Sequence, residues 1–248
     1  MEVHHHSHTP RKKWHHYFWE FLMLFLAVTL GFFVENQREH LIEHKREKVF
    51  MNSLVEDIKA DTATYRSMIT IYTTVKQHVD SLIILLADLN NLERNAKAIY
   101  SHQVFLQDYS KLIYSDRTIQ QLKNGGNFRL IRKKEVSDKI IAYDGLVRNM
   151  VEDMQQQLIL TRHLKINDGG NSIFKFGPMR HWNEKGRISN EIMLPDPPYF
   201  ITPTNEKVDH LINDLELYSL AIGWFVRHLQ QITTAANELN GLIKKEYN

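Results

Sequence analysis

YFWEFLMLFLAVTLGFFV, residues 17–34, holds a single ionisable side chain, Glu20. As a helix this run of about 18 residues rises about 27 Å, enough to cross a thin hydrocarbon layer. A buried core helix of equal greasiness is the competing reading. The basic cluster Arg11-Lys12-Lys13 ahead of it suits a secretory signal or an uncleaved anchor. The exit separates the two: beyond Gly31 the chain reads FFVENQREH, with no small-x-small pair at a cleavage point, and the apolar run outlasts a signal core. The expectation is an uncleaved signal anchor, with membrane lipid as its first partner.

Orientation rests on finer signs, because Arg38, Lys45, Arg46 and Lys48 follow the span much as Arg11, Lys12 and Lys13 precede it. The basic cluster adjoins a short tail, a long following domain is translocated largely regardless of charge, and Trp14 and Tyr17 sit at interface depth. These place the N-terminus in the cytoplasm and residues 36–248 outside the inner membrane.

Outward from the span, the next Gly or Pro comes only after the Asn90-Asn91 pair, so one helix is expected to leave the membrane and continue. Residues 35–50 read as a charged stalk in which Glu39, Glu43 and Glu47 alternate with His40, His44, Arg46 and Lys48. From Met51 an apolar stripe begins: Val55, Ile58, Thr62, Tyr65, Ile69, Tyr72, Lys76, Val79, Ile83 and Leu86 follow at spacings of three and four. A second row, Leu54, Met68, Val75, Leu82, Leu85 and Leu89, widens that face beyond a two-stranded seam. The pattern predicts a multi-helix bundle.

A second helix is expected over Leu92–Ile113. A short third element, TIQQLK at residues 118–123, has Ser115 or Asp116 as its N-cap and Gly125 or Gly126 as the left-handed residue that ends it. Another helix starts near Lys133 and runs to about Ile166, stopped by Gly169-Gly170. Residues 170–204 are too rich in Gly and Pro for a helix and too long for a turn, and suit a short hairpin across Ile188–Met193 or a cap over the bundle. A last helix follows from about Glu206 to Lys245, capped by Thr204 or Asn205. Its greasy SLAIGWFV centre is too short to cross a membrane.

The fold class expected is all-α: one transmembrane helix (17–34) after a short His-rich tail (1–16), continuing through a stalk (35–50) into a bundle of about four main helices (51–248). The 248 residues carry a formal net charge of +2, with acidic and basic residues interspersed, so a nucleic-acid surface is not expected. The chain has no cysteine, which removes disulfides and thiol catalysis.

Two motifs resemble an uncharacterised family of single-pass membrane proteins of Bacteroidota. One is the anchor, with Glu20 opening the apolar helix, the small-residue step Ala27 to Gly31, and the polar run ENQRE at 35–39. The other is TIQQLK at 118–123 followed by GNFRLI at 126–131. The resemblance implies a bacterial inner-membrane location, a helical periplasmic domain and no catalytic residue. The chain departs from that family in its His-rich tail.

Few residues are candidates for chemistry. Glu20 is a carboxyl inside an apolar helix, which is costly unless neutral, paired or near the interface. Interfacial placement at the first turn of the span, where a carboxylate suits a helix N-terminus, is weighed against gripping a partner helix or passing a proton. Ala27 and Gly31, four apart, permit close helix approach. His40 and His44 stand one turn apart and can offer two ligands to a metal, yet no third ligand lies nearby and the pattern lacks the glutamate of a metalloprotease helix. The tail histidines His4, His5, His6, His8, His15 and His16 read first as a solvated tail. His102, His163, His181, His210 and His228 define no site by spacing. No phosphate-binding or nucleophile-elbow fingerprint is present, and no cofactor is implied. The function expected is a membrane-anchored scaffold or interaction protein of the envelope, without catalytic activity, forming a homo-oligomer or binding other inner-membrane proteins. The alternative is a ligand-sensing or accessory subunit of an inner-membrane, proton-coupled complex.

Overall fold

The computed structural model describes residues 14–107, 110–162, 167–175 and 194–247. Among them there is no β-strand, and the chain is all-α. Helix α1 spans Trp14–Ala87 without interruption, a tract that holds no proline and, in Gly31, a single glycine. The chain divides into two compact units, Met1–Phe50 and Met51–Asn248.

In the first unit α1 contains an 18-residue window of mean hydropathy 1.9 that is 0% buried. These apolar side chains are therefore not part of a folded core. Thr29, a hydroxyl within the run, returns its hydrogen bond to the Phe25 carbonyl at 2.7 Å, so it leaves no unsatisfied polar group. Past the apolar window, Arg38 donates to both carboxylate oxygens of Glu35 at 2.9 and 2.5 Å. That hydrogen bonding holds the Glu35 carboxyl below its usual range. Glu47, expected on a solvated face, is instead 1% exposed, with His44 Nδ1 3.2 Å from its Oε2.

The second unit is built on three long helical runs. The first is the α1 portion from Met51 to Ala87. The second is α4 (Lys134–Asn149), a wide turn with π-helical bonding over Met150–Met154, and α5 (Gln155–Leu160). The third is α7 (Asn205–Tyr247), capped by Thr204, whose hydroxyl accepts the Lys207 N–H at 3.3 Å. Helix α7 packs on α4, α5 and the short α6 (Asn167–Asn171).

On α1 the residues facing inward are Leu54, Ile58, Asp61, Tyr65, Met68, Tyr72, Val75, Val79, Leu82 and Leu86, all buried. They follow a strict alternation of four and three. Val55, Ile69, Lys76 and Ile83, expected in the main stripe, stand half-buried at its edge. Ile58, Tyr65, Tyr72, Val79 and Leu86 belong to both rows, and Met51 and Thr62 of the expected stripe are buried too, so the inward face is centred slightly to one side of the expected stripe. Aromatic contacts tie the runs together, with the Tyr72 and Phe225 ring centroids 4.8 Å apart.

Between α1 and α4 the chain departs from expectation. The anticipated second helix shortens to α2 (Ala96–Gln103) and a 3₁₀ turn over Val104–Gln107. Residues 110–116 are non-helical because side chains of other elements take their backbone groups. Tyr72 Oη donates to the Ser110 carbonyl at 3.0 Å, Gln155 Oε1 accepts the Leu112 N–H at 2.6 Å, and Asp61 Oδ1 accepts the Ser115 N–H at 2.8 Å. Helix α3 (Arg117–Asn124) then forms and ends at Gly125, while Gly126 supplies the left-handed residue, φ +62°. Gly169 and Gly170 do not stop a helix but lie inside α6. A Cβ added at Gly169 would come 3.2 Å from Leu211 Cδ1, so this glycine lets α6 approach α7.

Of the irregular segment, Phe174 and Phe200 form an isolated antiparallel bridge. Tyr100 joins the same two stretches, since its hydroxyl accepts the Lys175 N–H at 2.9 Å and donates to the Tyr199 carbonyl at 2.7 Å. The hairpin expected at Ile188–Met193 lies outside the described residues.

Candidate functional site

Among the described residues, buried polar side chains gather where α1, the 110–116 stretch, α3 and α4 meet. Asp57 and Asp61, one helical turn apart on α1, are each 4% exposed. Buried carboxyls are costly unless they are hydrogen-bonded or paired. Asp57 Oδ1 accepts from Arg117 Nη2 at 2.6 Å, and its Oδ2 accepts both the Thr118 N–H at 3.3 Å and the Thr118 hydroxyl at 2.5 Å. Asp116, at the expected cap position, makes no side-chain cap bond. The cap of α3 thus comes from α1.

Asp61 takes the Ser115 N–H and a hydrogen bond from Tyr143, whose hydroxyl lies 3.0 Å from that of Tyr65. Burial is the dominant influence and pushes the Asp61 carboxyl up to about 6, opposed by the Ser115 N–H and reinforced by the Asp57 charge. Burial also drives Tyr65 and Tyr143 above the ordinary phenol range, so both keep their protons. Asp144, beside Tyr143, accepts from the Lys123 ammonium and from Arg148 Nε, the latter at 3.0 Å. The cluster fastens a non-helical stretch and the start of α3 to α1 and α4, and Asp61 within it can hold or release a proton near neutral pH.

None of the sequence-level site candidates belongs to this cluster. Glu20 is exposed, with His16 Nε2 3.3 Å from its Oε1. Ala27 and Gly31 are exposed on α1, and a Cβ added at Gly31 would meet nothing within 4 Å. His44 Nδ1 lies 3.2 Å from Glu47 Oε2, and among the described residues no group of three or more His, Asp or Glu side chains is placed to hold a metal ion. Gly125 and Gly126 terminate α3 as described above.

The structure also pairs residues that spacing could not. His78 of α1 and His102 of α2 bring their Nδ1 atoms to 2.8 Å, and Phe105 stacks on the His78 ring with centroids 3.6 Å apart. Burial lowers the His102 pKa. His163 and His181 lie outside the described residues. On the outer surface, Met154, Gln157, Leu158, Leu220, Ala221 and Trp224 line an open apolar groove of about 270 Å³, with Trp224 62% exposed. It borders the π-helical turn, a feature frequent at functional sites.

The signal for the buried Asp61 was present in the sequence. Read from Leu54, a strict four-three alternation passes through Ile58, Asp61 and Tyr65, which sets a carboxyl in a core slot. Compared with protein-family models, curated proteins and solved structures, the chain gives no match in any of the three.

Proposed function

We propose that this chain is a membrane-anchored helical scaffold that acts by binding rather than catalysis, self-associating or gathering other inner-membrane proteins on its second unit. The observation that carries the reading is the exposed apolar window of α1, on the same helix whose later turns form the spine of the Met51–Asn248 unit. Further support comes from the buried acids, whose hydrogen bonds are spent on internal fastening, and from the exposed groove at Leu220 and Trp224. The basic residues Arg11, Lys12 and Lys13 support a cytoplasmic N-terminus and a periplasmic bundle.

The test is fractionation followed by mass photometry in detergent. The protein should resist salt and alkaline washing of membranes and, once solubilised, run as a discrete oligomer or bring defined neighbours with it. Recovery in the salt-washed soluble fraction overturns the anchor. Persistent monomers with no copurifying membrane protein overturn the scaffold. Orientation is read separately: the chain has no cysteine, so a thiol introduced at the exposed Glu56 should react with an impermeant reagent from the periplasmic side.

A further inference from the structure

Of the three buried aspartates in the cluster, two hold cations: Arg117 donates to Asp57, while Lys123 and Arg148 donate to Asp144. Asp61 is different. Among the described residues its hydrogen-bond partners are neutral, the Ser115 N–H at 2.8 Å and the Tyr143 hydroxyl. The titratable groups around it are Asp57 and Tyr65 on α1, Tyr114 and Asp116 on the 110–116 stretch, Arg117 at the start of α3, and Tyr143 on α4. The one cation in that set is engaged by Asp57, and two of the others are acids. A carboxyl that is 4% exposed beside like charges favours its neutral form.

We propose that Asp61 is a proton-operated latch, holding the 110–116 stretch against α1 and α4 when its carboxyl is neutral and loosening it when the carboxyl ionises. The hydroxyl chain beside it accommodates both states. In the ionised state Tyr143 donates to Asp61 and Tyr65 donates to Tyr143. In the neutral state the Asp61 O–H donates to the Tyr143 oxygen, the Tyr143 O–H turns to Tyr65, and the Asp61 carbonyl oxygen keeps the Ser115 N–H. The proton comes from water and returns to it, with no covalent change. What ionisation adds is a desolvated charge repelled by Asp57 and Asp116. Among the described residues the backbone of the 110–116 stretch is fastened by the side chains of Tyr72, Gln155 and Asp61 and has no helical ladder of its own, so its opening is local and cheaper than global unfolding. Burial accordingly raises the Asp61 carboxyl to about 6. The inference stands apart from the scaffold reading.

The experiment is hydrogen exchange by mass spectrometry on the full chain in detergent micelles, at pH 5 and 7.5, corrected for the intrinsic pH dependence of exchange. Peptides covering residues 110–118 should open about tenfold more at pH 7.5 than at pH 5, while peptides from the middle of α7 stay unchanged. Asp61→Asn should abolish that difference. A corrected exchange that does not vary with pH in the wild-type chain, or one whose pH dependence survives in Asp61→Asn, overturns the latch. Should Asp61→Asn fail to fold, Tyr143→Phe removes the donor that favours the ionised form. It should move the transition to higher pH, and an unmoved transition counts against the proposal.

Discussion

Thr118 places both its backbone N–H and its hydroxyl on Asp57, a residue of another helix 61 positions earlier in the chain. Helix α3, Arg117–Asn124, is too short to persist alone, so its first turn is stabilised by tertiary structure. Asp57→Ala leaves these donors unmet in a buried place and should cost about 2–3 kcal/mol. Arg117 is 65% exposed, and Arg117→Ala should cost under about 1 kcal/mol. Chemical unfolding of the full chain in micelles measures both. Equal losses in the two variants would mean that the ion pair, not the cap, is what matters.

Gly126 carries φ +62° and a Cβ there would meet nothing within 4 Å. Only backbone conformation therefore penalises a side chain. Gly126→Ala should destabilise by about 1 kcal/mol, and Gly126→Asn by less, because asparagine tolerates the left-handed region. Gly125 is the contrasting case: its φ is −84°, but an added Cβ would lie 2.3 Å from Asn127 Nδ2. That neighbour is a side-chain amide that hydrogen-bonds the Gln121 carbonyl. Gly125→Ala should be rescued in part by Asn127→Ala, whereas Gly126→Ala should not. Thermal unfolding of the single variants and of the two glycine changes paired with Asn127→Ala separates steric crowding from backbone strain.

The long elements were legible because they rest on periodicity alone. The apolar span, the four-three alternation after Met51 and the run from Val208 to Leu239 each repeat often enough to set a helix face. The 110–116 stretch was not legible, since its local pattern suits a helix and it is drawn out by Tyr72, Gln155 and Asp61 from elsewhere in the chain. Ser115 or Asp116 was the expected cap of α3, and Asp116 does hold the N-cap position; the capping side chain, however, is Asp57 from α1, which sequence proximity does not reveal. The His78–His102 contact depends on how α2 docks, which no spacing encodes.

That histidine pair and Asp61 pull stability in opposite directions with pH. Burial lowers the pKa of His102 below its usual 6.5, so the unfolded chain binds more protons in acid. Its contribution is present above pH 6.5 and is lost as pH falls through the folded value. For Asp61 the folded value is raised to about 6 from 3.8, so its contribution is full below 3.8 and is lost as pH rises through about 6. Between these limits the two offset each other. His102→Gln should remove the acid-side loss and leave a decline of about 2 kcal/mol from pH 4 to 7. Denaturant midpoints across that range should show this slope in the variant and a flatter curve in the parent. A variant curve as flat as the parent's would deny His102 that role.

Glu20 lies one helical turn from His16, with 3.3 Å between His16 Nε2 and Glu20 Oε1, and about half of each side chain is exposed. A carboxyl at the start of the apolar window can reach the headgroup layer, where its charge is tolerated; α1 already runs from Trp14, so Glu20 gains nothing from the helix N-terminus. On this reading Glu20→Gln keeps the shape and loses only an interfacial charge, so membrane retention after alkaline washing and the oligomer size in detergent should match the parent. Leu24→Glu moves a carboxyl one turn deeper into the apolar window, where translocon-based scales set a cost near 3 kcal/mol. It should visibly reduce the membrane-retained fraction. If Glu20→Gln alone dissolved the oligomer while leaving insertion intact, the carboxyl would be gripping a partner helix, and the interfacial account of Glu20 would be wrong.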